Sequence, residues 1–183
     1  MLILVVGPSG AGKDTLLDGA REAMADQPVR FVRRTITRPE DAGGEGHESV
    51  TEEAFLHRQN AGGFALSWQA HGLRYGIPAD ISLDLANGGT VVANVSRAVL
   101  AEAAARFPVA VIEVTAPPAL LAARLAARGR EDAADVARRL SRGIELRLHV
   151  ERHVVMNDAT PGEGIQRFVD AVRKLSGVAG RGQ

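Results

Sequence analysis

The first fifteen residues constrain the rest of the chain. An apolar run, Leu2–Val6, leads directly into Gly7-Pro-Ser-Gly-Ala-Gly-Lys13, and a segment of helical period begins at the lysine. Glycines at 7, 10 and 12 let the backbone turn so that successive N–H groups converge on one spot. A helix starting there adds the positive end of its dipole to that spot. G-x-x-x-x-G-K between a strand and a helix is a cradle for phosphate, and it places the first strand inside a sheet.

The remaining pattern agrees. Short β-branched runs, Val29–Val32, Thr90–Asn94, Val109–Val114 and His153–Met156, alternate with segments of helical period at Lys13–Ala25, Ser96–Arg106, Pro117–Arg128, Asp132–Glu151 and Pro161–Leu175. Strands alternating with helices predict a parallel sheet covered on both faces, an α/β three-layer sandwich of the P-loop NTPase type. Pro117 and Pro161 suit a first helical turn, where a missing N–H costs nothing. Residues 33–89 break the rhythm, with a Gly-rich loop at Asp41–Gly46, a short helix near Thr51–Gln59 and an antiparallel pair over Phe64–Gly76. They read as an insertion in one domain of residues 1–176, with core segments 1–32 and 90–176, a lid over about 128–142 and a flexible tail at 177–183.

Bulk properties narrow the partners. Lys+Arg and Asp+Glu both number 22, so no global field draws in nucleic acid, and an anion site must be local. No segment reads as a membrane span, and Met1–Val6 reads as a buried strand because it lacks a basic lead-in. The chain has no cysteine, which excludes disulfides and thiolate metal sites and suits the cytoplasm. Whether it acts alone or as a homodimer stays open.

The loop residues Gly7, Pro8, Ser9, Gly10, Ala11, Gly12, Lys13, Asp14 and Thr15 are the expected ATP contacts, with Lys13 reaching the terminal phosphates. Asp14 stands where a Ser or Thr ordinarily touches Mg²⁺; a carboxylate is a good hard-cation ligand, so Asp14 supported by the Thr15 hydroxyl is the expected metal pair. An N-terminal helix cap is the other role open to Asp14. Arg124-Leu-Ala-Ala-Arg128-Gly-Arg130 and Arg138-Arg139-Leu-Ser-Arg142 put guanidinium groups around a glycine hinge, as phosphoryl transfer requires. A solvated basic face paired with Glu131, Asp132 and Asp135 is the plainer alternative. Asn157-Asp158 ends a strand at its carboxyl edge, where such sheets collect ligands, although Asn-Asp is also a turn signal.

From Leu2 to Leu175 these residues resemble the guanylate kinase family. The phosphate loop, Thr37-Arg38-Pro39, Tyr75-Gly76, the Arg124-x-x-x-Arg128-Gly lid and Val155-x-Asn157-Asp158 occur in the family's order. The resemblance implies a five-stranded parallel sheet, a substrate-binding insertion and an arginine lid. It also implies Arg124, Arg128 and Arg139 at the phosphates and Asn157 near the adenine. The residues that read guanine there are carboxylates, and here Leu66 and Ser96 take their places, while His47 replaces a phosphate-binding tyrosine. Leaving the polar edge of a base unpaired costs on the order of 1–3 kcal/mol per group, which argues against GMP as acceptor.

The same departures resemble a narrower family, the ribose 1,5-bisphosphate phosphokinases of phosphonate catabolism. The motifs are Gly12-Lys-Asp14, Arg34-Thr-Ile-Thr-Arg38-Pro, Gly43-Gly-Glu45-x-His47, Phe64-Ala-Leu-Ser67-Trp68-x-Ala70-x-Gly72, Tyr75-Gly76 and Asn94-x-Ser96-Arg97. That resemblance implies Mg²⁺-ATP and ribose 1,5-bisphosphate as substrates and 5-phosphoribosyl diphosphate with ADP as products. It makes Arg34, Arg38, His47, Ser67, Tyr75, Ser96 and Arg97 the expected acceptor contacts. The chemistry fits, because two phosphate dianions and no base call for guanidinium and hydroxyl groups. A nucleoside monophosphate kinase and a silent guanylate-kinase-like binding module are the competing readings. Lys13, Arg128 and Arg139 are retained, against the silent module.

Overall fold

The computed structural model describes residues 1–39, 46–127 and 150–177. The expected lid with Arg128 and Arg139, the helix expected from Asp132 except for its last two residues, Gly43, Glu45 and the tail from 178 onward lie outside the described residues. In chain order the elements are β1 (Leu2–Val6), α1 (Lys13–Ala23), β2 (Val29–Phe31), β3 (Thr35–Ile36), β4 (Glu48–Ser49), α2 (Glu52–Asn60), β5 (Phe64–Ala70), β6 (Leu73–Pro78), α3 (Ile81–Ala86) and β7 (Thr90–Asn94). A 3₁₀ turn (Arg97–Val99) then leads into α4 (Leu100–Arg106), β8 (Val109–Thr115), α5 (Pro118–Ala127), β9 (Glu151–Met156) and α6 (Pro161–Ser176).

A sheet of order β2-β7-β1-β8-β9 forms the centre, with each neighbouring pair parallel. All of β1 is buried, as expected for a strand covered on both faces. Ile3 and Val5 point into one core with Leu16 and Ala20 of α1 and Phe168 and Val172 of α6. Leu2, Leu4 and Val6 point into the other with Val99, Leu100 and four residues from the insertion, Ala65, Leu66, Ile77 and Ile81. The insertion thus packs onto the central sheet.

The insertion holds more than the expected antiparallel pair. Its own sheet has the order β4-β3-β6-β5, with β3 antiparallel to β6 and parallel to β4. The β5–β6 hairpin pairs Trp68 with Tyr75 and closes at His71-Gly72, both with positive φ (53° and 72°). Two successive positive φ values are what a two-residue turn needs to match the twist of its strands. Strands of two residues, such as β3 and β4, carry no periodicity that a sequence can display.

Two other boundaries differ from expectation. Ser96 does not begin an α-helix: its hydroxyl accepts from the Ala98 N–H and caps the 3₁₀ turn ahead of α4. Glu151, expected as the end of a helix, starts β9 and pairs with Ala110. An edge strand tolerates polar residues, so its ladder begins before the apolar pattern does. The last helix is closed at both ends, by a Thr160–Glu163 capping box with Pro161 in its first turn and by Gly177 at φ 68°.

Candidate active site

The loop after β1 wraps the start of α1. Gly10 (φ 81°) and Gly12 (φ 86°) adopt left-handed conformations that side-chain-bearing residues resist. Gly12 is the N-cap of α1 and brings no side chain over the helix's first N–H groups, which leaves them to an anion. Lys13 folds over the loop, its Nζ donating to the Gly7 carbonyl at 2.8 Å and the Pro8 carbonyl at 3.0 Å.

Asn157 braces the loop from behind. Its Nδ2 donates to the Ala11 carbonyl at 2.8 Å, and its own N–H donates to the Thr115 carbonyl at 2.7 Å. The side chain is buried and fills the space a Cβ on Gly12 would need, so the close approach requires glycine there. A cavity of about 350 Å³ opens beside it, lined by Gly10, Gly12, Thr15, Arg124, Asn157 and Pro161. Arg124 reaches in from α5, its guanidinium 3.4 Å from the Gly10 carbonyl.

A second cavity, about 180 Å³, lies on the other side of the loop and is lined by Ser9, Gly10, Gly12, Lys13, Asp14, Arg34 and Asn94. Asp14 is held there by Asn94, whose Nδ2 donates to Oδ1 at 3.3 Å. Thr15 lines the first cavity and not this one. Successive residues of a helix face about 100° apart, which separates the two members of the expected metal pair.

The expected acceptor residues fall into three groups. Arg34 lines the Asp14 cavity and lies 5.4 Å from the centre of the Tyr75 ring, which stacks on Trp68 at 5.3 Å. Arg38 and His47 form a second group: His47 Nε2 lies 3.0 Å from the Arg38 carbonyl, and Nδ1 lies 3.5 Å from the guanidinium. They adjoin a wider cavity of about 500 Å³, lined by Thr37, Arg38, Ser49, Thr51 and Gly72. The Arg38 Nε is buried there without a hydrogen-bond partner among the described residues. The third group is bound to neighbours within the chain. The Ser67 hydroxyl accepts from Gln59 of α2 at 3.0 Å, on the opposite face of β5 from Leu66 and Trp68. Ser96 is the cap already described, and Arg97 is ion-paired with Glu113 at 2.7 Å.

Glu113, only 14% exposed at its side chain, also pairs with Arg152 of β9. Neither partner was evident from the sequence, since 16 and 39 residues separate them from Glu113. Asn94 was missed as a site residue too, although a polar residue ending the apolar run Thr90–Ala93 is the kind of signal that marks a sheet's carboxyl edge. Of the remaining arginines, Arg33 is exposed and Arg74 pairs with Glu52 at 3.0 Å. Glu48 ties the edge strand β4 of the insertion to β3 and α2: the buried Thr35 hydroxyl donates to it at 2.6 Å and Arg58 at 2.8 Å. Those bonds, the Thr35 hydroxyl first, hold its carboxyl below the ordinary glutamate range.

No protein-family model matches the chain. The ribose 1,5-bisphosphate phosphokinase PhnN of Acidiphilium cryptum is 54% identical over 162 residues, 87% of this chain and 85% of its own. The bifunctional ribose 1,5-bisphosphokinase-thymidine phosphorylase of Cupriavidus necator is 52% identical over 171 residues, 92% of this chain. This chain spans 28% of that relative's length, less than a third. Among solved structures, guanylate kinase from Anaplasma phagocytophilum superposes with a TM-score of 0.68 at 17% identity, covering 96% of this chain and 85% of its own, which shows the shared guanylate-kinase-like fold. With that degree of identity across most of both chains, and with the phosphate loop and its Asp14 in place, the chain belongs to the ribose 1,5-bisphosphate phosphokinase family.

Proposed function

We propose that the chain transfers the terminal phosphoryl group of ATP to ribose 1,5-bisphosphate, giving 5-phosphoribosyl diphosphate and ADP. The observation that carries this reading is the use made of the two positions where a guanylate kinase would read its base. Leu66 is 1% exposed and belongs to the core, and Ser96 is bound into a turn cap. What faces the phosphate loop across the small cavity is instead Arg34, steadied on the Tyr75–Trp68 stack. A guanidinium backed by an aromatic face suits a sugar phosphate, and being donor-only it offers no acceptor to the N1–H and amino group of guanine.

In this reading the loop N–H groups and Lys13 hold the β- and γ-phosphates of ATP, and Thr15, Arg124 and Asn157 border the rest of the nucleotide. An oxygen of the acceptor's 1-phosphate attacks the γ-phosphorus while the bond to the bridging oxygen of ADP breaks. That oxygen is already ionised at neutral pH, so no general base is required. Arg34, with Tyr75, and Arg38, with His47, are assigned to the acceptor phosphates. Arg124, with Arg128 and Arg139 beyond the described residues, is assigned to the charge on the group in transit. Asp14 is the carboxylate that would hold Mg²⁺, which when bound would supply positive charge to the phosphates. No cluster of three metal-ligating side chains occurs among the described residues. One carboxylate plus substrate phosphates and water is an ordinary Mg²⁺ environment. We assign the whole of residues 1–176 to one domain in which 33–89 carry the acceptor, working in the cytoplasm.

The test is ADP release from Mg²⁺-ATP with ribose 1,5-bisphosphate and GMP offered in parallel. Turnover with the sugar bisphosphate and none with GMP is expected. Turnover with GMP alone would replace this reading by a guanylate kinase.

A further inference from the structure

In phosphate-loop enzymes the nucleotide's metal is ordinarily held by a hydroxyl that follows the loop lysine and by a carboxylate that ends a neighbouring strand of the sheet. Both positions are altered here, and in opposite senses. The residue after Lys13 is Asp14, a carboxylate where the hydroxyl stands. The residue that ends β7, hydrogen-bonded beside β1 in register with Val5, is Asn94, an amide. The two side chains touch, Asn94 Nδ2 donating to Asp14 Oδ1 at 3.3 Å, and both line the cavity that also holds Lys13 and Arg34.

We infer that the metal-binding carboxylate has moved from the strand to the helix, with Asn94 as the positioning residue that orients Asp14 toward the cation. The charge balance favours it: a hydroxyl with a carboxylate and a carboxylate with an amide each present one negative charge to Mg²⁺. Asp at both positions would set two carboxylates against each other across the same gap. Asn94 is 4% exposed, so its amide is fixed by the sheet, and one bond from a fixed donor selects a carboxylate orientation without taking all its lone pairs. Asp14 sits on the first turn of α1, where the helix dipole also favours a negative charge. Thr15 faces the other cavity and is left to the nucleotide.

The inference rests on the ATP part of the proposed function and not on the acceptor, so its test leaves the acceptor out. Mn²⁺ binding to the complex with a non-hydrolysable ATP analogue is followed by electron paramagnetic resonance. Asp14→Ser and Asn94→Ala should each weaken Mn²⁺ binding by about tenfold or more, as loss of a ligand or of its orienting partner does. The exchange variant, Asp14→Ser with Asn94→Asp, restores the ordinary arrangement and should recover affinity to within about threefold of the parent, a coupling no sum of two losses produces. Binding of a fluorescent ADP analogue in EDTA checks that each variant still folds and holds nucleotide. Should Asn94→Ala fail that check, the isosteric Asp14→Asn replaces it and must show the same loss. An exchange variant no tighter than Asp14→Ser, or an Asp14→Asn protein that binds Mn²⁺ like the parent, overturns the inference.

Discussion

Asn157 illustrates how one side chain can serve several parts of the molecule. It directly follows β9, satisfies the buried Ala11 carbonyl and packs where Gly12 leaves room, so strand end, loop and helix start meet on one amide. Asn157→Ala should leave the Ala11 carbonyl unpaired, at about 1–3 kcal/mol. For a chain of this size that is a fall in Tm of roughly 2–12 °C, readable by calorimetry. It should also raise KM for ATP, because the loop it braces is the nucleotide cradle; an unchanged KM would restrict Asn157 to a structural role. At this scale the sequence was legible where chemistry and spacing coincide, as in Gly7–Lys13. It was not legible where a residue's partner lies far along the chain. The pairing of Arg97, an expected acceptor contact, with Glu113 could not be read from the sequence, nor could the bond by which the Ser96 hydroxyl caps a turn.

Between elements, the insertion sheet depends on contacts that no hydropathy pattern reveals. β3 and β4 are two residues each, and the Thr35–Glu48 bond runs between residues that also pair in their ladder. Glu48 is held low by the Thr35 hydroxyl first and by Arg58 after it. A carboxyl whose folded value lies below its unfolded one stabilises fully above the unfolded range and loses that contribution as pH falls through the folded value. Glu48→Gln should therefore cost about 0.5 kcal/mol at neutral pH, a modest figure because the carboxylate is half-exposed. The difference from the parent should vanish in acid; denaturant melts at pH 7 and pH 3 compare the two. A cost that persists unchanged at pH 3 would mean the glutamate acts through packing. The main strands were readable because burial on both faces leaves continuous apolar runs. The short ones were not, since two residues cannot alternate.

At the scale of the molecule, the second core joins what the sequence divides. Ala65, Leu66 and Ile77 of the insertion share it with β1 and with Val99 and Leu100 at the start of α4. Trp68, the one tryptophan of the chain, lies on β5 and packs against the same cluster. Insertion and central sheet should therefore unfold together: urea transitions followed by Trp68 fluorescence and by far-ultraviolet circular dichroism should coincide. A fluorescence transition at clearly lower urea would show the insertion to be a separate cooperative unit.

The place of β1 in its sheet also has a consequence for the order of events at the ribosome. Its partners are β7 and β8, so Leu2 must wait for Val91 before one edge is paired and for Val109 before the other is. At synthesis rates of about 5–20 residues per second, that delay is on the order of ten seconds. The hairpin from Phe64 to Pro78, with its neighbouring partners, is able to form within that interval. The first of these strands to be translated is thus among the later to be secured, and the glycine-rich loop at its end takes shape only after residues 33–89 have been synthesised in full.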